Sequence, residues 1–402
     1  MRQRAVFGAL FSSVLFLVAC GDDTTTPGGG GAGAGGGAAG GGGAGGDNVV
    51  MGCDGATLLE NPADTSLHGA WPVGARTVSI GGLTAEVWYP AVPGSEAGVS
   101  QKTYDLRDFL PPSEQPKIPD AKAPKQTCDC YSELPLDEAH GPYPIIIFVH
   151  GTAGYRAQSL ELTQHWASRG FVVIAADHPG LDLADLIQSL PGCDGDPAPQ
   201  DLDADLATLR GAVQAPSGDL AFLAGHVDPN LLGLTGHSAG GGAIANQADF
   251  GAVLIPMAAG GTDPGTRVDS VLVMGAVEDQ VVNHTQQQNG YASTTAPKKR
   301  FVSISPAGHL VFSSLCQITN DDGEDIVKIG TDAAVCGLNL AGALFDCDPS
   351  YVDGPRGWQI VNDATSAVFE ETLQCQPARA ERLTALTDNY PEVAEYLEEP
   401  AP

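Results

Sequence analysis

A serine hydroxyl attacks a carbonyl only when a base takes its proton, and one serine in this chain stands where that chemistry can be arranged. Gly236-His237-Ser238-Ala239-Gly240 follows the apolar run Asn230 to Thr235 and precedes a helix-compatible stretch, Gly241 to Asp249. The pentapeptide reads as a sharp strand-to-helix turn that presents the hydroxyl, and its glycines answer a need for close backbone approach. With 52 glycines in the chain the pentapeptide alone is a weak signal, so the groups around it must decide.

Such a serine needs a general base and a carboxylate that holds the base in one tautomer. Val268 to Val277 reads as a buried strand with Asp279 just past its end, and Lys299 to Ser305 reads as the next strand, followed at once by Pro306-Ala307-Gly308-His309. Each separation leaves room for one strand-helix-strand unit, which puts all three residues on one rim. Ser238, Asp279 and His309 are therefore expected as nucleophile, orienting acid and general base. Glu278 and Asp269 are the rival acids. Among the other histidines, His237 points away from the reaction if the turn is formed, His178 is expected to shape the pocket floor, and His150 is read as structural.

Upstream, Pro144 to Gly154 is an apolar strand running into the loop His150-Gly151-Thr152-Ala153-Gly154. A tetrahedral intermediate needs two backbone N–H donors, one after the nucleophile and one from such a loop. Ala239 and Thr152 are the expected donors, with Gly151, Ala153 or Tyr155 in place of Thr152 if the loop is shifted.

Together these segments, with Ala85 to Pro90 and Ala175 to Gly180, resemble the α/β-hydrolase superfamily over about Arg76 to Leu373. Within it the likeness is to the dienelactone-hydrolase-like, platelet-activating-factor-acetylhydrolase-like and cutinase-like polyester esterase branch. The resemblance implies a carboxylic ester hydrolase that works through an acyl-enzyme without metal or organic cofactor. Cutinase-like members carry an aromatic residue and a Met where this chain has Thr152 and Ala239, and the acetylhydrolases too carry a different residue after the serine, so hydrolysis of generic neutral esters is expected ahead of polyester or phospholipid cleavage. The non-enzymatic alternative is a catalytically silent binding or adhesion module on the same fold. Perhydrolysis and amide hydrolysis are further rivals at the same site.

The elements needed to position these groups follow from periodicity. Arg76 to Ile80 and Leu83 to Tyr89 alternate around Gly81-Gly82 and predict an N-terminal antiparallel hairpin. Strands are expected at Ile145 to Val149, Phe171 to Ala176, Leu231 to Thr235, Val253 to Met257, Val268 to Val277 and Arg300 to Ile304. Helices are expected at Ser159 to Ser168, Leu202 to Gln214, Ala239 to Ala248, Val282 to Ala292 and Trp358 to Leu373. The alternation predicts an α/β fold, a mostly parallel sheet with helices on both faces. Pro93 to Pro144 and Ser314 to Asp353 fall outside that plan and are read as insertions, either overhanging the pocket or decorating the surface.

The N-terminus suggests export. Arg2 and Arg4 precede the apolar run Ala5 to Val18, a length suited to a secretory signal, and Leu17-Val18-Ala19-Cys20 looks like a bacterial lipobox. By that resemblance residues 1–19 are a signal peptide and Cys20 is the lipidation site, with Gly21 fitting outer-membrane delivery in the bacterial cell envelope. Residues 27–46 are almost wholly Gly and Ala, so residues 20–48 are expected to be a lipidated cysteine and a flexible tether, and residues 49–402 the catalytic domain.

A formal net charge of −30 argues against nucleic acid and against anionic lipid or polyanionic substrates, and it favours a monomer that touches the membrane through its lipid anchor alone. The eight cysteines other than Cys20 suggest up to four disulfides, stapling insertions to the core, in preference to zinc. Asn320 to Asp325 is acidic but lacks the alternating ligand spacing of a calcium loop, so a solvated loop is expected there.

Overall fold

The computed structural model describes residues 49–338 and 345–400. The expectations for the signal peptide, Cys20 and the tether lie outside the described residues. Among the described residues no helix is long and apolar enough to cross a membrane.

The chain begins with a short antiparallel pair, β1 (Val49–Met51) and β2 (Thr57–Leu59). The main sheet takes β3 (Val73–Ile80), β4 (Leu83–Pro90), β5 (Gln101–Asp105), β6 (Lys125–Ser132), β7 (Tyr143–Val149), β8 (Val172–Ala176), β9 (Val227–His237), β10 (Val253–Met257), β11 (Ser270–Ala276), β12 (Lys298–Ile304) and β13 (Val393–Pro400). These eleven strands lie in the order β13-β12-β11-β10-β9-β7-β8-β4-β3-β6-β5. From β8 across to β12 every pairing is parallel, whereas β4 on β8 and β13 on β12 are antiparallel. The sheet is thus mixed, with a parallel centre.

Side chains alternate through that centre. Ile146 and Phe148 pack with one face's core, Ile145, Ile147 and Val149 with the other's, which is why β7 is apolar at every position from Ile145 to Val149. The first face is covered by the helices Leu160–Ser168 and Gly354–Leu373, the second by Leu202–Gln214. Asp353 caps the longest helix by accepting from Arg356 N, and Pro355 sits in its first turn, where a missing N–H costs nothing.

The expected hairpin is present as β3 and β4. Three expectations need correction. Pro93 to Pro144 is not wholly outside the sheet, because β5 and β6 extend its edge. The helix after Ser238 stops at Ala243, where Gly240 to Gly242 give it little propensity to continue. The cysteine bridges also do more than staple insertions to the core. Cys53–Cys375 ties the N-terminal segment to the end of the long helix, Cys128–Cys130 closes within β6, Cys193–Cys336 joins two loops, and Cys316–Cys347 closes within one insertion.

Three excursions from the sheet meet in a small core of their own. Leu110 and Ile118 from the first, Ile187 from the helix Leu183–Ser189 after β8, and Ile329 and Val335 from the last form a satellite cluster. Its seams are polar: Glu114 Oε2 accepts from Cys336 N, and Lys122 pairs with Asp322 and Glu324. The acidic loop Asn320 to Asp325 is therefore answered by a lysine.

Candidate active site

Register brings the carboxyl ends of the central strands level. Val149 pairs with Gly236, His237 with Met257, Met257 with Met274, and Ala276 with Ile304. The loops that leave these ends carry Thr152, Ser238, Asp279 and His309, so residues far apart in sequence share one rim. In open α/β sheets ligands bind at this edge.

Ser238 sits between β9 and a five-residue helix with φ 56° and ψ −119°, a conformation that costs a side-chain-bearing residue energy and marks a constrained turn. The turn needs its glycines. A Cβ on Gly236 would lie 2.5 Å from Gly240 C, and one on Gly240 would lie 2.2 Å from Val149 O. Ser238 N donates to Met257 O at 2.9 Å, pinning the elbow to β10, and the residue itself is partly exposed.

Asp279 is buried and fully engaged. Its Oδ1 accepts from Val281 N at 2.7 Å and Val282 N at 2.9 Å, and its Oδ2 accepts from Gln287 Nε2 at 3.0 Å and His309 Nδ1 at 2.8 Å. Four donors around one carboxylate leave it one orientation. The rival Glu278 turns to Ser305 Oγ and Ala307 N, bracing the loop that leads to His309. Asp269 lies at the opposite end of β11, just before Ser270. With Nδ1 committed to Asp279, His309 presents Nε2 as its free nitrogen. No hydrogen bond closes between Ser238 Oγ and His309 among the described residues.

The upstream loop supplies the other pole. Gly151 lies against the elbow, where an added Cβ would sit 3.2 Å from Ser238 Cβ. Gly151 N donates to Gln158 Oε1, Ala153 N to Leu181 O and Gly154 N to Gly151 O. Thr152 N and Ala239 N donate to no described group, nor does Tyr155 N. Gly151 O, in the same rigid peptide plane as Thr152 N, is held by His150 Nδ1 at 2.8 Å and by Gly154 N at 2.9 Å, which fixes the aim of the Thr152 N–H.

His237 and His150 are buried, and burial first, then a neighbouring histidine, pushes each down to about 3. Neither serves as a base near neutrality. His150 Nε2 accepts from His178 N, and His178 Nδ1 meets Asp205 Oδ2 at 3.0 Å, so His178 is tied into the wall behind the loop. The first insertion reaches the loop as well: Phe109 stacks on Tyr155 at 4.2 Å between ring centroids.

Residues 118–182 match the family model of platelet-activating factor acetylhydrolase, isoform II. That family is a hydrolase family of the α/β-hydrolase superfamily, and the matched stretch holds β7, the His150 to Gly154 loop and β8. It ends before Ser238, Asp279 and His309. No curated protein matches the chain. The α/β layering, the match and the disulfide-bearing insertions agree at the level of fold.

Two buried glutamines at the rim were not legible beforehand. Gln287 binds Asp279 Oδ2, Val282 O and Ala276 N, and Gln158 binds Gly151 N and His237 Nδ1. Each faces a glycine: a Cβ on Gly154 would fall 2.1 Å from Gln158 Oε1, and one on Gly275 would fall 2.4 Å from Gln287 Oε1. Among the described residues no group of three or more His, Cys, Asp or Glu side chains is placed to hold a metal ion.

Proposed function

We propose that this protein is a serine carboxylic-ester hydrolase acting on neutral esters. The observation that carries the reading is His309, held by Asp279 at 2.8 Å on the rim that also presents Ser238 at a positive-φ turn. His309 Nε2 takes the proton of Ser238 Oγ as the oxygen bonds to the ester carbonyl carbon. The oxyanion is held by Thr152 N–H and Ala239 N–H. As the tetrahedral adduct collapses, the leaving alcohol takes the proton back from His309. Water then gives a proton to His309, attacks the acyl-enzyme and releases the acid, and Ser238 recovers its proton. Asp279 stabilises the imidazolium in both halves.

The test is hydrolysis of a chromogenic ester series from acetate to palmitate by the protein and by Ser238→Ala. Turnover by the first and none by the second is the expected result. Equal turnover removes Ser238 from the mechanism, and no turnover by either moves the silent binding module ahead.

The match over residues 118–182 favours one narrower substrate, a short acyl ester on a lipid-like alcohol. Faster release of acetate from an acetylated glycerophospholipid than from an acetylated chromogen would select it. The same proposal places the protein in the bacterial cell envelope, at the outer membrane and through a lipidated Cys20; incorporation of a fatty-acid analogue that Cys20→Ser abolishes tests that step.

A further inference from the structure

One side chain touches the machinery on two sides. Gln158 is buried, 1% exposed. Its Oε1 accepts from Gly151 N at 3.1 Å, in the loop that aims Thr152 N–H. Its Nε2 meets Nδ1 of His237 at 3.0 Å, directly before the nucleophile. An amide nitrogen can only donate, so His237 Nδ1 accepts and the ring proton lies on Nε2. That Nε2–H donates to His309 O at 2.9 Å. The main chain around Gln158 repeats the link: its O accepts from Ser314 N at 2.9 Å, and Ser159 Oγ donates to Phe312 O at 2.8 Å.

We infer that Gln158 is a positioning residue of the esterase reaction, setting the oxyanion loop with its oxygen and, through the tautomer of His237, the backbone of the base with its nitrogen. The inference rests on the serine-esterase reading given above. Its chemical content is directional. An isosteric side chain that cannot donate would release His237 Nδ1, and one carrying negative charge would draw a proton onto that nitrogen beside His309. Both displace the Thr152 amide and the imidazole from where the transition state needs them, while ground-state binding, which uses neither fully, changes little.

The experiment compares the protein with Gln158→Met and Gln158→Glu on the fastest chromogenic ester, measuring kcat and KM from pH 5 to 9, alongside ring ¹⁵N spectra of His237. Gln158→Met is expected to lower kcat about 10- to 100-fold with KM within about threefold, at every pH alike. Gln158→Glu, whose protonated carboxyl can both accept and donate as the amide does, is expected to approach the parent at the acid end and fall away as pH rises. His237 is expected as the Nε2–H form in the parent and as a mixture in Gln158→Met. Parent-like kcat in Gln158→Met, or losses in both variants that run parallel across pH, would overturn the inference, because filling space alone predicts the latter. If the parent and Ser238→Ala hydrolyse esters equally, the esterase reading fails first, and the spectra decide: an unchanged His237 tautomer in Gln158→Met overturns the inference too.

Discussion

His237 Nε2 donates to the carbonyl of His309 at 2.9 Å, so the residue beside Ser238 grips His309 by its backbone while Asp279 grips it by its ring. The backbone is held a second time, His309 N donating to Asp346 Oδ2 at 3.3 Å, so Asp279 grips the ring and the other two contacts grip the main chain. Only the Asp279 contact bears on the tautomer of His309, and that separates two kinds of mutant.

Asp279→Asn should keep the fold and lower kcat by roughly 10⁴-fold, since the amide can offer a donor to Nδ1 and favour the wrong tautomer. Glu278→Gln should cost less than about tenfold, because that carboxylate braces Ala307 N and Ser305 and does not touch the ring. Rate measurements on the two variants decide which acid serves the base; a larger loss at Glu278 reverses the assignment.

Glycines in the elbow differ sharply in what they tolerate. Gly240→Ala forces a Cβ to 2.2 Å from Val149 O and should cost about 1–3 kcal/mol or more, with loss of activity. Gly242, two residues on in the same helix, has nothing within 4 Å of its Cβ position, so Gly242→Ala should be neutral or stabilising by up to about 1 kcal/mol. Urea denaturation of the pair checks both.

Acid should unfold the protein before most carboxylates titrate. His150, His165 and His237 are each pushed down to about 3, chiefly by burial, whereas in the unfolded chain they take protons near pH 6.5. The unfolded state therefore binds more protons between these values, and stability falls as pH falls through that window. Asp182 opposes them below about pH 6, since burial raises its carboxyl to about 6 and the folded state gains that proton. Burial raises the Glu161 carboxyl as well, so two carboxylates oppose three histidines and stability should still fall as pH drops from 6 to 5. Melting curves at pH 7, 6 and 5 test it, and a flat Tm would contradict the burial argument.

The buried pair Arg169–Glu370 anchors the N-terminal segment to the long helix. Both side chains are fully buried, and Arg169 also donates to Leu67 O at 2.6 Å and Pro62 O at 3.0 Å. Arg169→Met should strand Glu370 and several carbonyls, at a cost of about 3–5 kcal/mol. Arg379, 2.7 Å from Glu370, softens that loss, so Arg379→Met with Arg169→Met should be worse than either alone.

The bridge Cys193–Cys336 closes a separation of 143 residues between two excursions that share the satellite core. Replacing both cysteines by Ser should lower stability by about 2–4 kcal/mol. The rim that carries Ser238, Asp279 and His309 lies on other elements, so kcat at 25 °C should stay within about threefold; denaturation and rate data together check the division.

The parallel centre was legible because β7, β8, β10 and β11 are short apolar runs bounded by turn residues, and a buried parallel strand has few other ways to look. The edges were not. β5 and β6 lie in a Pro- and Lys-rich stretch, and β13 sets Glu395 between Val393 and Leu397 at every second position, with no local mark of its partner. An edge strand is selected by the neighbour it pairs with, and that neighbour is distant in sequence.

What the sequence by itself determined was the chemistry on offer and its order along the chain: a serine between glycines, a carboxylate and a histidine after successive strands, and a glycine loop before them. Local spacing sets those, because strand and helix periods are local. The tertiary structure alone decided which carboxylate meets His309, which cysteines pair, that Gln158 and Gln287 hold the rim, and that three excursions share a core. Those outcomes depend on distances between elements, and a distance between elements exists only after the sheet has formed.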